Sequence, residues 1–211
     1  MGETEGRLTP KRQQLIDGAY RVFMEHGFEG ASVDEIARAA GASKATLYSY
    51  FPDKRRLFEA VVQSRCSQQG AVICGGNPGG PIEATLRQMA HTFASFLYSP
   101  SAQEMFRVCI AESGRFPDLG RAFYEAGPAQ ARARLSDFLK GAVERGELVI
   151  DDPDIAAEQF VALCKAGGFL RALLGARLMS DAESAAEITQ FAEEAVKTFL
   201  ARYAAPQPAL A

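Results

Sequence analysis

Between residues 32 and 54 the chain reads SVDEIARAAGASKATLYSYFPDK, where Lys44, Ala45, Thr46 and Ser49 fit the outward face of a short helix and two tyrosines and a second lysine lie close by. Lys44 can donate to guanine O6 or N7, Thr46 can bond a base edge or a phosphate, and the Ala45 methyl can touch a thymine methyl. Ser49, Tyr48 and Tyr50 bring further hydroxyls and ring bodies to the sugar–phosphate backbone, and Ser32 stands at the start of the preceding helix. Lys54 falls in the first turn of the next helix, where a cation joins free amides to hold a phosphate. This chemistry is a grip on double-stranded DNA. Bond-making chemistry has little to build on: there are two histidines, His26 and His91, no HExxH pair and no GxxxxGK[ST] loop. Cys66, Cys74, Cys109 and Cys164 fit neither a metal pattern nor a disulfide framework. No catalytic residue, metal or cofactor is expected, and the chain is not expected to be an enzyme.

Such a face must be carried by elements whose limits are legible. Thr9-Pro10 opens a helix with Leu15, Ile16, Ala19, Val22 and Phe23 at helical spacing, and Gly27 supplies a left-handed stop. Ser32 and Glu35 form a capping box ahead of a second, short helix ending at Gly41. Ser43 caps a third helix through Tyr50, with Leu47 and Phe51 turned inward, and Asp53 opens a fourth. Two short helices about Ala40-Gly41-Ala42 have the dimensions of a helix-turn-helix.

Gly75 to Pro81 is the strongest break in the chain. The expected division is a DNA-binding domain over 1–62, continuing as a connecting helix to about 74, a second domain over 75–203, and a disordered tail over 204–211. Beyond the break the periodicity is helical throughout, with no alternation long enough for a sheet. The fold class is all-α: a three-helix head and a larger helical body, about nine helices in all.

In that body Met89, Phe93, Phe96, Met105, Phe106, Cys109, Phe123, Phe138 and Phe160 form an aromatic and sulfur-rich set. It fits either ordinary core or the lining of a cavity for a small apolar or amphipathic effector, with Glu112, Tyr124, His91 and Arg115 as polar anchors. Further along, Phe160, Leu163, Leu170 and Leu174 precede Ile188, Phe191, Ala195 and Phe199, and the apolar faces are wider than a small body covers alone. Gly167 and Gly168, costly inside a helix, fit either the close approach of a partner helix or a local break.

The chain has 211 residues, 47% apolar and 23% charged, with a net charge of −3. Residues 7–56 nevertheless hold nine Lys/Arg against six Asp/Glu. A basic face on an acidic body suits a site-specific DNA binder better than a protein that coats nucleic acid. No apolar run approaches the ~20 residues of a membrane span and no leader is evident, so a cytoplasmic protein with no membrane partner is expected.

TLYSYFPDK, preceded by SVDEIARAAGAS, resembles the recognition region of the TetR family of bacterial transcriptional regulators. The resemblance implies that Tyr48, Tyr50 and Lys54 contact the DNA backbone, that Ser32 meets a phosphate and that Lys44 and Ala45 face bases. FRVCIAESGRFPDLGRAFYEAGP and ERGELVIDDPDIAAEQFVALCKAG resemble the C-terminal domain of the AefR-like or AcrR-like branch. That likeness implies a ligand cavity in the middle helices, a homodimer through the last two long helices, and a palindromic operator released by a small molecule, with repression the expected sense. The alternatives are an activator or redox-responsive regulator of the same fold, or a helical interaction module without DNA function.

Overall fold

Thr9 opens α1 (Pro10–Gly30) by accepting the Arg12 amide on its hydroxyl, with Pro10 in the first turn where its missing N–H is no loss. A computed structural model of the chain describes residues 9–73, 80–166, 168–176 and 181–206, the side chains of 67–73 and 181–184 excepted. Gly27, at φ 71°, breaks the axis of α1 as expected, but helical bonding resumes for one more turn through Gly30. The capping box forms in full before α2 (Val33–Ala39): the Glu35 amide donates to Ser32 Oγ at 3.2 Å and the Ser32 amide to Glu35 Oε2 at 3.1 Å. Gly41, at φ 57°, makes the turn. Ser43 then caps α3 (Lys44–Tyr50), and the Asp53 carboxylate accepts the Arg56 amide at 2.8 Å at the head of α4 (Lys54–Ile73).

The remaining described helices are α5 (Ile82–Leu97), α6 (Pro100–Ser113), α7 (Pro117–Ala126), α8 (Pro128–Glu144), α9 (Pro153–Lys165), α10 (Phe169–Leu173) and α11 (Asp181–Tyr203). Eleven helices stand among the described residues, where about nine are expected; one of the additions comes from the division of the long segment after Asp152. The division falls at Gly168, whose amide donates to Tyr98 Oη at 3.1 Å, and a Cβ there would lie 3.3 Å from the Tyr98 ring. The structure thus bears out the local break, with the close approach made by the chain's own Tyr98. Gly167 lies outside the described residues.

Compactness divides the chain into Met1–Ser67 with Glu104–Gly127, and Gln68–Gln103 with Pro128–Ala211. The break Gly75 to Pro81, which lies largely outside the described residues, would have placed α6 and α7 in the second body. They join the first because Phe28 and Phe116 meet edge to face at 5.0 Å, beside a Phe23–Phe58 pair at 5.1 Å, and because Leu119, Met105 and Cys109 enter the same core as Leu15, Ile36 and Leu47. The second unit is held by Phe160 against Phe199 at 5.1 Å and by a short antiparallel bridge, Leu148 to Ala204. Ala204 and Ala205, expected in the tail, are therefore ordered: the Ala205 amide donates to the Glu147 carbonyl at 3.1 Å. Residues 207–211 lie outside the described residues. Among those described, no helix is long and apolar enough to cross a membrane.

Candidate nucleic-acid interface

The reading helix is seven residues long, so its direction depends on what grips it from behind. Leu47 and Phe51 are buried, as their spacing requires, and Lys44, Ala45, Tyr48, Ser49 and Tyr50 are exposed, with Thr46 half-buried. Tyr48 and Tyr50 keep 45% and 39% of their surface in solvent. The hydroxyls are partly engaged within the helix: Ser43 and Thr46 share a bond at 2.8 Å, and Ser49 donates to the Thr46 carbonyl at 2.7 Å. Ser32 is exposed and its hydroxyl sits 2.7 Å from Glu35 Oε2, a bond that holds the Glu35 carboxyl below its usual range.

Lys44 and Lys54 differ in state. Lys44 lies 3.1 Å from both carboxylate oxygens of Asp34, and both side chains are exposed. An exposed pair of this kind is worth about 0.2–1 kcal/mol, so Lys44 is held only weakly to Asp34. Lys54 is more deeply committed. Its ammonium donates to the Glu29 carbonyl at 3.1 Å and the Ala31 carbonyl at 3.0 Å, and lies 4.8 Å over the Phe28 ring. Burial lowers its pKa, and the nearby Glu112 carboxylate opposes that shift. Lys54 ties the end of α1 to the start of α4 before it does anything to DNA.

Behind α3 stands a stripe on α1 that helical periodicity alone does not explain. Gln14, Gly18 and Arg21 recur at helical spacing, and all three face the turn. The Gln14 amide donates to the Ala40 carbonyl at 2.7 Å, Arg21 donates to the Ala39 carbonyl, and a Cβ on Gly18 would fall 2.6 Å from the Ala40 backbone. A polar–small–polar stripe beside the buried face of an amphipathic helix was the available signal. Asp34 had none, since its partner lies ten residues away across a turn.

The expected effector set draws on both units. Met105, Phe106, Cys109, Glu112, Phe123 and Tyr124 lie in the first unit, and Met89, Phe93, Phe96, Phe138 and Phe160 in the second. Glu112 is not a free anchor, because Oε1 accepts the Glu29 amide at 3.2 Å and so caps the turn of α1 that resumes after the break at Gly27. Arg115 is exposed and pairs with Glu29, His91 is exposed beside Thr189, and Tyr124 is exposed on α7. Phe106 and Phe123 pack edge to face at 5.0 Å, and Met89, Phe93, Met105, Cys109 and Phe160 are buried.

The expected dimer face is corrected in three places. Phe160, Ala195 and Phe199 are buried within their own unit and present nothing to a partner. Leu163, Ile188 and Phe191 are half-buried, whereas Leu170 and Leu174 are 64% and 72% exposed.

Residues 15–61 match the family model described as bacterial regulatory proteins, tetR family, and residues 84–205 match that of the AefR-like transcriptional repressor, C-terminal domain. The chain belongs to the TetR family. A TetR-family transcriptional regulator from Mesorhizobium loti MAFF303099 is 32% identical, with a TM-score of 0.84 over 92% of this chain and 96% of that one. The flavonoid-responsive regulator FrrA is 34% identical, with a TM-score of 0.79 over 94% and 98% of the two chains. The transcriptional repressor AcnR of Corynebacterium diphtheriae is 32% identical over 84 residues, 40% of this chain and 43% of that protein. The match to that curated repressor thus spans less than half its length. This TetR-family protein is a DNA-binding transcriptional regulator and not an enzyme.

Proposed function

We propose that this TetR-family regulator is a repressor that holds a palindromic operator as a homodimer and lets go when a small apolar or amphipathic molecule binds its helical body. The observation that carries the reading is the outward face of α3, with Lys44, Ala45, Tyr48 and Tyr50 exposed and Leu47 and Phe51 sunk in the core. Its place of action is the cytoplasm, with the bacterial chromosome.

Release requires that the effector distinguish two states. Moving a population from 99:1 to 1:99 takes about 5.5 kcal/mol of differential binding. The mechanical link is supported at the element level: α6 and α7 are built into the same unit as the reading helix. Glu104 of α6 bonds Tyr20 of α1, Glu112 bonds the Glu29 amide, and Arg55 of α4 meets Asp118 of α7 at 2.9 Å. A shift of α6 then carries α1 and α4 with it, so coupling runs through α6 as well as through α4.

FrrA, by its name, responds to flavonoids, which makes hydroxylated flat aromatics the first probes. The test is fluorescence anisotropy on a duplex taken from the DNA preceding the chain's own gene, followed by titration with a flavonoid panel. Specific binding at 0.15 M salt, reversed by a panel member without loss of the folded protein, is the expected result. Binding that no ligand reverses removes effector release, and absence of specific binding at any salt removes the operator reading. Footprinting against the promoter assigns the sense, since a site upstream of the polymerase contacts would mark an activator.

A further inference from the structure

Within the first unit, five of the lysines and arginines around the reading region are held by ion pairs or by carbonyls. Lys44 is paired with Asp34, Lys54 is bonded to two carbonyls, Arg55 meets Asp118, Arg56 meets Glu59 at 2.8 Å, and Arg65 meets Asp17 at 2.9 Å. Lys11 and Arg12, at the start of α1, have no carboxylate partner among the described residues. Arg12 touches the recognition element directly, and Lys11 is linked to it through Gln14. The Arg12 guanidinium lies 5.2 Å over the ring of Phe51, the residue that closes α3. Lys11 donates to Gln14 Oε1 at 3.1 Å, and the other end of that amide bonds Ala40 in the turn ahead of α3. The start of α1 is therefore tied to the turn ahead of α3, through Gln14, and to the residue that follows it, through Arg12 on Phe51.

We infer that Lys11 and Arg12 form a backbone clamp on the DNA duplex, extending the reading face beyond the helix-turn-helix and supplying much of its sequence-independent grip. A cation with no ion pair to break gives its full charge to a phosphate and releases a condensed counterion, whereas Lys44 must first leave Asp34. Arg12 is in addition held against a ring, so less side-chain freedom is lost when its planar fork meets phosphate oxygens. Arg38 acts on the Glu35 carboxylate, whose pKa its charge helps to lower, and no side-chain hydrogen bond or ion pair among the described residues ties it to α3. Lys11 and Arg12 would thus set how tightly the protein holds any duplex, and the exposed face of α3 which duplex it prefers. The inference rests on the DNA-binding function of the family and not on effector release.

The experiment measures the affinity of the full chain for two duplexes, one from the DNA preceding its gene and one of scrambled sequence, between 0.05 and 0.4 M salt. Lys11→Gln with Arg12→Gln is expected to weaken binding to both duplexes by the same factor, about fivefold to tenfold per cation per protomer near 0.1 M salt. The slope of log affinity against log salt is expected to fall by about 0.9 for each phosphate left without its cation. Arg12→Lys, which keeps the charge, should recover most of the slope. Lys140→Gln, in the second unit, should leave it unchanged. Thermal melting of the free variants separates folding from contact. An unchanged slope in the double variant overturns the inference, whether or not melting shifts, because a role confined to packing on Phe51 does not alter counterion release. Wild-type protein that binds neither duplex overturns both the inference and the reading it rests on.

Discussion

Lys54 carries three ammonium protons, and two are committed to the Glu29 and Ala31 carbonyls. Charge-assisted bonds of this kind contribute about 1.5–3 kcal/mol each when formed in shelter, and less here because the group is only half-buried. Lys54→Met keeps the stem over Phe28 and removes the donors. It is expected to lower thermal stability by about 1–3 kcal/mol and to weaken every duplex alike; a melting temperature equal to wild type would show that the carbonyl bonds contribute nothing to folding. The thiols give a second expectation at this scale. Burial pushes Cys66 up to about 11 and Cys109 and Cys164 up to about 12, from an ordinary value of 9.0. A thiol kept protonated by the fold adds stability that is complete below pH 9 and is lost as pH climbs through 11 to 12, by about 1.4 kcal/mol per pH unit for each thiol that the unfolded chain has already deprotonated. Lys54 and Lys165, both lowered by burial, act with the opposite sign in the alkaline range. Comparison of wild type with Cys164→Ala in denaturant melts from pH 8 to 11 isolates the thiol: the variant should lose stability less steeply above pH 9, and parallel curves would contradict the assignment. With so little thiolate at neutral pH, these three cysteines offer poor material for the redox-responsive alternative.

At the scale of elements, the helix-turn-helix holds its angle because α1 comes within touching distance of the turn at Gly18. A Cβ there would meet the Ala40 Cα and Cβ at 2.6 Å, against backbone that cannot swing aside. Gly18→Ala is therefore expected to cost about 1–3 kcal/mol in chemical denaturation and to reduce DNA affinity by tilting α2 and α3, even though alanine favours a helix. Gly114→Ala, with nothing within 4 Å of the added carbon, is the matched control and should be neutral; equal effects at both sites would refute the steric account. Local signals of this region are legible without any knowledge of the fold. The Ser32–Glu35 box, the Gly41 turn, the Ser43 cap and the inward Leu47 and Phe51 are set by residues a few positions apart, where sequence is a direct record of geometry. What is not legible depends on distant partners. The break between α9 and α10 needs Tyr98, 70 residues before Gly168. The place of α6 and α7 needs Phe116 on Phe28, and the role of Glu112 as a cap needs Glu29, 83 residues earlier. Helical periodicity states that a face is apolar without stating which core it enters, which is why Phe160 and Phe199 look available to a partner and are instead packed on each other.

For the whole molecule the question is how a head with a seven-residue reading helix selects one site among many. One such helix reaches a few base pairs, and two held about 34–36 Å apart read successive turns of one groove face, so association multiplies specificity without adding any base contact to the head. The exposed pair Leu170 and Leu174, with Ile155 at 55% exposure, is apolar surface that a lone chain leaves in water. Leu170→Glu with Leu174→Glu should therefore turn a dimer into monomers in sedimentation velocity and weaken operator binding by about 10²–10⁴, the gain normally drawn from linking two modest contacts. The fold should survive, since neither side chain belongs to the core formed by Phe160, Phe199 and Val196. Binding to scrambled duplex should fall much less, because the Lys11 and Arg12 contacts inferred for each head remain. A double variant that stays dimeric would move the interface to another face of the second unit. One that becomes monomeric yet holds its operator as tightly as wild type would mean that a single head suffices, and the two-fold reading of the operator would fall with it.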